Sequence, residues 1–268
     1  MSRHRIGGRD FVEALSRGID VLTSFSPERV EMTVSDVAER TGLARPTARR
    51  LLLTLQQLGY VRSAEGRFTL TAKVLDIGTK VISAQGIWDI ARPHMRELVA
   101  FTGESSSMAE LDGSDIIYSA RVAVPKIIAL SVDIGTRFPA VAASMGKVLL
   151  ADLTADELDT ALATPSLSAV IPRVTPDRAE LDIRLAEVRE QGWALADEIL
   201  SLGVRSVAAP VRGRDQRVAA ALNVTVHAAE TSLDRLTGEF LPRLIETADA
   251  ISADWQNLAR LPYEEVPA

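Results

Sequence analysis

Residues 33–61 read TVSDVAERTGLARPTARRLLLTLQQLGYV, and this stretch decides the fold of the first part of the chain. Thr33 is a good N-cap for a short helix, and Gly42 ends that helix. Its apolar face is predicted to consist of Val34, Val37, Ala38 and Thr41. A further helix follows at once, with Pro46 in its first turn and Gly59 at its end. Its buried stripe is predicted to consist of Ala48, Leu51, Leu52, Leu55 and Leu58.

The sequence on either side of this stretch extends the motif. Residues 11–25 predict an amphipathic helix that Pro27 ends, because apolar side chains recur there at helical spacing. Those side chains are Phe11, Leu15, Ile19 and Leu22. Residues 60–62 and 67–70 flank the turn Ala64-Glu65-Gly66, which predicts a short hairpin. Two short helices joined by a tight glycine turn and followed by a hairpin are typical of a winged helix-turn-helix.

The outer face of the second helix of this pair carries hydrogen-bond donors. The candidates for contact with DNA on this face are Arg45, Thr47, Arg49 and Arg50. Guanidinium groups bind guanine or phosphate with two hydrogen bonds, and the second helix of such a pair enters the major groove. Arg62 and Arg67 in the hairpin add cations on the predicted wing. The alternative is a solvated basic face on a small helical unit.

The distribution of charge favours contact with DNA over a solvated face. Residues 1–72 hold 11 arginines and 8 acidic residues, whereas the rest of the chain holds 19 basic and 28 acidic residues. The net charge of −6 excludes a protein that coats nucleic acid over its whole surface. A basic N-terminal unit on an acidic body instead indicates local phosphate contact, with double-stranded DNA as the partner.

The composition excludes several classes of site. The chain has no cysteine, so disulfides, thiolate zinc sites and cysteine nucleophiles are excluded, and a cytoplasmic location fits. Its histidines, His4, His94 and His227, are far apart and lack metal-ligand spacing, so no metal and no other cofactor is predicted. No apolar run approaches the roughly 18 residues that span a bilayer, so no membrane partner is predicted.

Residues 71–101 are predicted to be helical, with a break near Gln85-Gly86. One apolar stripe consists of Val74, Ile77, Val81 and Ile82, and another of Ile87, Ile90, Ala91, Leu98 and Phe101. These stripes are candidates for holding two copies of the chain together. His94 falls on the second stripe, where a packed histidine is the expected role rather than a ligand.

The remainder of the sequence predicts an α+β body with an antiparallel sheet. The predicted strands are residues 106–111, 115–122, 126–132, 203–211 and 218–226. Helices are predicted to begin at Ser144, at the capping box Thr154–Glu157 and at residues 175–177, and a long amphipathic helix closes the chain after Leu233. The third of these helices is predicted to end at Gly192.

Along about residues 10–260 the chain resembles the IclR family. In the first domain the matching residues are VAERTGL at 37–43, RRLL at 49–52 and LGYV at 58–61. In the body they are SMGKVLLA at 144–151 and GVRSVAAPV at 203–211. The segments FVEALSRG at 11–18 and ALNVTVH at 221–227 are similar to one branch, which regulates the catabolism of protocatechuate, 4-hydroxybenzoate and β-ketoadipate.

The resemblance implies a transcription regulator whose body is a GAF-like domain that binds a small organic acid. When the pocket positions of the family are carried over to this sequence one by one, the expected lining of the effector pocket is Ile127, Leu130, Phe138, Ser144, Met145, Ala196, Val204, Ser206, Asn223 and Thr225. Some family members have an acidic residue where Ala196 stands, so a more apolar pocket is expected here. The free N–H groups at the start of the Ser144 helix favour a carboxylate.

Several polar residues of the body allow two interpretations. Asn223 and Thr225 lie two apart on a predicted strand and so face the same way, either to bind a ligand or to bond neighbouring backbone. Lys147 is more consistent with a solvated lysine of the first helical turn than with a Schiff-base or phosphate-binding residue. Arg121 and Arg137 could clamp a carboxylate or pair with nearby acids, and the sequence does not separate the two.

The predicted organisation has five parts: a disordered basic arm at 1–10, a winged helix-turn-helix at 11–71, linker and dimerisation helices at 72–102, an effector domain at 103–260 and a tail at 261–268. One winged helix reads too few base pairs, so a homodimer or dimer of dimers on an inverted-repeat operator is expected. The competing hypotheses are an enzyme with a helical appendage, a constitutive DNA-binding scaffold, and a regulator of another metabolite pathway. Catalytic residues are not predicted, because no nucleophile–base pair or dinucleotide motif is present.

Overall fold

The structure, a computed structural model, describes residues 11–26, 29–76, 87–125 and 132–258. It divides into two compact units, one that ends at Ala84 and one that begins at Gln85. The predicted basic arm and C-terminal tail fall outside the described residues, as does most of the predicted strand 126–132. Within the described part of the chain, the helices are too short or too polar to cross a membrane.

The N-terminal unit contains a helix-turn-helix and a small antiparallel sheet in the order β1-β3-β2. Its elements are α1 (Glu13–Thr23), β1 (Glu31–Thr33), α2 (Val34–Thr41), α3 (Arg45–Gln57), β2 (Val61–Ala64) and β3 (Arg67–Leu70). Thr33 and Asp36 form a capping box at the start of α2, and Gly42 ends it with a φ of 68°. Glu65 and Gly66 have φ values of 51° and 76°, as a two-residue hairpin loop requires. The sequence did not predict β1.

The core of this unit differs from the prediction in one place. It consists of Val21, Met32, Val37, Ala38, Ala48, Leu52, Leu55, Val61 and Phe68. The predicted amphipathic helix α1 contributes Val21 to this core, whereas Leu15 and Ile19 of its apolar stripe are 63% and 51% exposed. The predicted burial of Leu58 is wrong, because this residue lies beyond the last turn of α3 and is 53% exposed.

The C-terminal unit is built on an antiparallel six-stranded sheet in the order β6-β5-β4-β9-β8-β7. Its strands are β4 (Ser105–Asp112), β5 (Asp115–Val122), β6 (Arg137–Pro139), β7 (Ala194–Asp197), β8 (Val204–Arg212) and β9 (Val218–His227). Its helices are α4 (Ile87–Thr102), α5 (Ser144–Ala151), α6 (Ala155–Ala163), α7 (Arg178–Gln191) and α8 (Leu241–Leu258). Short helical turns at Leu233–Arg235 and Leu236–Phe240 precede α8. The sequence did not predict β6 or β7, whose three and four residues are too short for a clear alternation.

Helices cover both faces of the sheet. On one face, α4 and α8 pack over a cluster that includes Met95, Leu98, Met108, Leu222 and Leu244. On the other face, α5 and α7 pack over a cluster that includes Ile116, Leu150, Leu185, Ala208 and Ala221. The unit is therefore a layered α+β domain whose sheet is covered on both sides.

The apolar stripe of α4 packs against other elements of its own unit. Ile87, Ala91 and Leu98 are buried in the cluster under α8, so this stripe is not free to hold two copies together. Phe101, which was predicted to share it, is 52% exposed near the end of the helix. His94 is not simply packed on apolar neighbours either, because its Nε2 lies 2.8 Å from Oδ2 of Asp254 on α8. The stripe residues Ile77, Val81 and Ile82 lie outside the described residues.

The position of α5 depends on one glycine. Gly146 lies in the first turn of α5, directly against the backbone of Ala140 in the 3₁₀ turn Ala140–Ala142. A methyl group at this position would overlap the Cα, carbonyl carbon and carbonyl oxygen of Ala140. Because these are backbone atoms, they cannot rotate out of the way as a side chain would.

Gly146→Ala is therefore expected to destabilise the C-terminal unit by at least about 1–3 kcal/mol, the usual cost of overpacking a core. Gly238→Ala is the matched control, because a methyl group at Gly238 meets nothing within 4 Å. Urea unfolding of both variants, followed by circular dichroism, measures the difference. Equal unfolding midpoints for the two variants would show that the contact with Ala140 does not constrain α5.

Candidate functional site

The predicted DNA-contact residues of α3 share one solvent-facing side of the helix. Arg45, Arg49 and Arg50 are exposed and Thr47 is half-buried, whereas Ala48 and Leu52 of the same helix are buried in the core. Among the described residues, no acidic group lies within ion-pair distance of these three guanidinium groups. Within the described part of the chain, the exposed side of α3 therefore carries three guanidinium groups without an acidic partner.

The hairpin presents two further cations on one face. Arg62 pairs in register with Thr69, and Arg67 pairs with Ala64, so both arginines lie on the face opposite the buried Val61 and Phe68. Both are exposed. The structure therefore places Arg62 and Arg67 where a wing can meet a phosphate backbone.

Two residues that the sequence analysis missed join α3 to the wing. Thr71 Oγ1 donates to the Gly59 carbonyl oxygen at 2.6 Å, and Lys73 Nζ donates to the Leu58 carbonyl oxygen at 2.9 Å. The Lys73 ammonium also lies 5.2 Å from the centre of the Tyr60 ring. These contacts satisfy carbonyl groups at the C-terminus of α3 and complement its dipole.

The C-terminal unit contains a cavity of about 250 Å³ on the α5 side of the sheet. Every predicted effector-pocket residue that the structure describes lines it: Phe138, Ser144, Met145, Ala196, Val204, Ser206, Asn223 and Thr225. Ile127 and Leu130 lie outside the described residues. The same lining includes residues that the sequence did not predict: Glu104, Ser105, Tyr118, Val124, Val132, Leu200 and His227.

Strand register explains why polar side chains meet on the floor of the cavity. Ser206 on β8 pairs with Thr225 on β9, and Thr225 pairs with Ser105 on β4, so the three form one cross-strand row. Phe138, Met145 and Ala196 supply an apolar wall. An apolar wall beside a short row of hydroxyl groups suits a small ligand with one apolar and several polar parts.

The start of α5 forms one end of the cavity. The first bond within this helix runs from Lys147 N to the Ala143 carbonyl oxygen at 3.0 Å, so the preceding N–H groups have no acceptor within the helix. Ser144 Oγ lies 2.8 Å from Ser206 Oγ, which joins the helix start to the floor. Free N–H groups, the helix dipole and two hydroxyl groups together favour an anion here.

Asn223 has partners inside the protein. Its Oδ1 accepts from Ser107 N at 3.0 Å, and its Nδ2 donates to Thr225 Oγ1 at 3.1 Å. Asn223 therefore bonds neighbouring groups of the protein, as one of its two interpretations predicts. The hydroxyl hydrogen of Thr225 remains available to a ligand. Burial outweighs the nearby Arg121 guanidinium and raises the pKa of the Tyr118 hydroxyl to about 12. Tyr118 thus remains a protonated donor at neutral pH.

Arg121 and Arg137, whose roles the sequence did not decide, have different surroundings. Arg137 pairs with Asp112 and approaches Asp115 at 4.0 Å, so its partners are acids of the same unit. Arg121 lines the cavity, where its Nη1 donates to Ser107 Oγ at 3.1 Å. Arg121 is therefore the guanidinium that a ligand in the cavity can reach.

The prediction of a solvated Lys147 is wrong. This residue is only 5% exposed, because α5 packs between the sheet and α7. Its Nζ donates to the Leu195 carbonyl oxygen on β7 at 3.0 Å. Burial, followed by the nearby Arg184, lowers the pKa of Lys147 to about 8.

Comparison with known protein families separates the same two parts of the chain. Residues 14–65 match the IclR helix-turn-helix domain, and residues 79–253 match the C-terminal domain of bacterial IclR transcriptional regulators. The chain is 35% identical to the Pca regulon regulatory protein of Pseudomonas putida over 89% of this chain and 82% of that protein. It is 30% identical to the p-hydroxybenzoate hydroxylase transcriptional activator of Acinetobacter baylyi over 93% and 94% of the two chains.

Solved structures show the same fold. The crystal structure of a transcriptional regulator from Rhodococcus sp. RHA1 superimposes with a TM-score of 0.80 at 42% identity, covering 92% of this chain and 100% of that one. The inducer-binding domain of an Acinetobacter PobR double mutant, in complex with 3-hydroxybenzoic acid, superimposes with a TM-score of 0.55 at 28% identity. It covers 61% of this chain and is itself covered to 96%. The chain therefore belongs to the IclR family of bacterial transcriptional regulators.

Proposed function

We propose that this regulator controls genes of aromatic-acid catabolism in the cytoplasm, where its operator DNA lies, by binding a small aromatic or keto acid in the cavity of its C-terminal unit. The observation that carries this proposal is the set of eight expected pocket residues that line one cavity with an apolar wall and a polar floor. Two relatives are named as the Pca regulon regulatory protein and the p-hydroxybenzoate hydroxylase transcriptional activator. Since the relatives are regulators, we propose that the chain is not an enzyme.

We place the carboxylate of the effector at the start of α5. The N–H groups there, with Ser144 and Ser206, favour negative charge. The ring or carbon chain would contact Phe138, Met145 and Val204, and polar groups at its other end would face Tyr118 and Arg121. Protocatechuate, 4-hydroxybenzoate and β-ketoadipate have this division into an acidic end, an apolar body and a further polar end.

We propose that two copies bind an inverted-repeat operator, with α1 in their interface. An operator specific enough for a genome needs two half-sites, so two recognition helices must be held together. Helix α1 and the residues before it expose Phe11, Val12, Leu15 and Ile19, which together form an apolar face that the rest of the N-terminal unit leaves uncovered. A second copy of the same face would remove these side chains from water.

For DNA binding, Arg49→Ala or Arg50→Ala is expected to cost about 1–3 kcal/mol of specific binding if the side chain contacts a base edge. Arg62→Ala and Arg67→Ala should weaken binding to all sequences alike and reduce its salt dependence, because phosphate contacts release counterions. Arg17→Ala is the control, since Arg17 pairs with Glu13 on α1. Fluorescence anisotropy at several salt concentrations measures both effects. A folded variant with all four substitutions that binds its operator like wild type would contradict the assignment of this DNA surface.

For the effector, Arg121→Met is expected to raise the Kd at least about 10-fold, because hydrogen bonds to charged groups contribute about 1.5–3 kcal/mol. The loss should be larger for β-ketoadipate than for 4-hydroxybenzoate, since its second carboxylate would face the guanidinium. Arg92→Met removes an exposed charge from α4 and serves as the control. Titration calorimetry with protocatechuate, 4-hydroxybenzoate and β-ketoadipate measures the Kd values. Equal Kd values for Arg121→Met and wild type would contradict the placement of the effector beside Arg121. If none of the three acids binds to the wild type, the regulator belongs to a different catabolic pathway.

For assembly, light scattering of the wild type is expected to give at least twice the 28.9 kDa mass of one chain. The double substitution Leu15→Glu and Ile19→Glu should lower this mass toward that of one chain, because it places charges on the proposed interface. Leu167→Glu with Ile171→Glu is the control, since these exposed residues belong to the other unit. A wild-type mass near 28.9 kDa, free and on DNA, would contradict the dimer.

A further inference from the structure

A second cleft lies on the other side of α5 from the effector cavity. It has a volume of about 340 Å³ and opens to solvent between α5 and α7. Its apolar lining consists of Val141, Val174, Pro176, Ile183 and Ile199. The proposed effector site does not use any of these residues.

Lys147 is the buried cation of this cleft. An ammonium group has three donors, and the described part of the chain occupies one of them through the Leu195 carbonyl oxygen. Lys147 is 5% exposed, so its remaining donors have little access to bulk water. Because burial lowers its pKa to about 8, an anion beside it would favour the charged form.

The other charged groups that line the cleft all lie on α7. The guanidinium group of Arg184 is exposed and, among the described residues, has no hydrogen bond or ion pair. Glu180 is engaged in the capping box at the start of α7, where it accepts from Asp177 N at 3.4 Å. Glu187 is exposed on the next turns and is the acid whose charge favours the Lys147 ammonium. The cleft thus combines two cations that lack full partners with an apolar wall.

We propose that this cleft is a second small-molecule site, which binds a carboxylic acid with an apolar body. The carboxylate lies between Lys147 Nζ and Arg184, and the body contacts Val174, Ile183 and Ile199. Lys147 supplies a buried donor, and Arg184 supplies an exposed cation that a ligand meets on entry.

The two cavities share a wall. Residues 142–145 and 196 line the effector cavity, whereas the neighbouring Val141, Lys147 and Ile199 line the cleft. A ligand in the cleft therefore contacts the other side of the segments that hold the effector. The site is separate from the effector cavity but adjoins it through α5 and the loop after β7.

The test uses the small number of lysines. The chain has four, Lys73, Lys80, Lys126 and Lys147, so lysine labelled with ¹³C at Cε gives few NMR signals, which single substitutions assign. Benzoate is the probe. A bound carboxylate next to the ammonium is expected to raise the pKa of Lys147 by about one pH unit or more, because an opposite charge nearby stabilises the protonated form. The full-length protein is titrated with pH at zero and at saturating benzoate.

Three variants distinguish this site from the effector cavity. Arg184→Met should abolish the benzoate-induced rise in the Lys147 pKa, and Arg184→Lys should retain it. Ser206→Val, which removes a hydroxyl group at the proposed carboxylate position of the effector cavity, should also retain it. The proposal is overturned if wild-type Lys147 titrates alike with and without benzoate, if the rise persists in Arg184→Met, or if it disappears in Ser206→Val.

Discussion

The contact between Gly146 and the backbone of Ala140 is the constraint on which the C-terminal unit depends. Because nothing larger than hydrogen fits between these segments, α5 lies close to the 3₁₀ turn that precedes it. That position brings Ser144 Oγ to 2.8 Å from Ser206 Oγ and Lys147 Nζ to 3.0 Å from the Leu195 carbonyl oxygen. One short helix is thereby fixed to two strands of the sheet, with its N-terminus at one cavity and its lysine at the other.

The two units use electrostatics differently. In the N-terminal unit, Arg45, Arg49 and Arg50 are exposed and have no acidic partner among the described residues, as a surface for phosphate requires, whereas Arg17 pairs with Glu13 on α1. In the C-terminal unit, most arginines have acidic partners within the same unit. Arg217, for example, binds both Asp152 and Glu157, and this ion pair holds the pKa of the Glu157 carboxyl at about 2.

Local signals in the sequence predicted much of the fold. The signals at Thr33, Gly42 and Gly66 depend only on local backbone conformation or on a hydrogen bond to a residue nearby in sequence. The helix-turn-helix and the hairpin could therefore be identified without tertiary information. The strands β1 and β6, with three residues each, carry no such pattern. Periodicity also cannot say what covers an apolar face, and the stripe that it identifies on α1 leaves Leu15 and Ile19 exposed.

The sites were predictable only in part. The pocket residues came from the family resemblance, and those that the structure describes do meet at one cavity. Tyr118 and Arg121 join them through the pairing of β5 with β4, which depends on a register that the sequence does not reveal. Lys147 was expected in solvent because its partner, the Leu195 carbonyl oxygen, lies 48 residues away. Contacts of this range arise from the packing of α5, not from any local pattern.

In the proposed function, effector binding in the C-terminal unit changes DNA binding by the N-terminal unit. The most direct measurement is the Kd for operator DNA with and without an acid that calorimetry shows to be bound, together with the Kd for that acid with and without DNA. We expect a change of about 5–150-fold in DNA affinity and, by thermodynamic linkage, the same factor in the affinity for the acid. An acid that occupies the cavity yet leaves the DNA affinity unchanged would rule out this coupling and favour a scaffold that binds DNA constitutively.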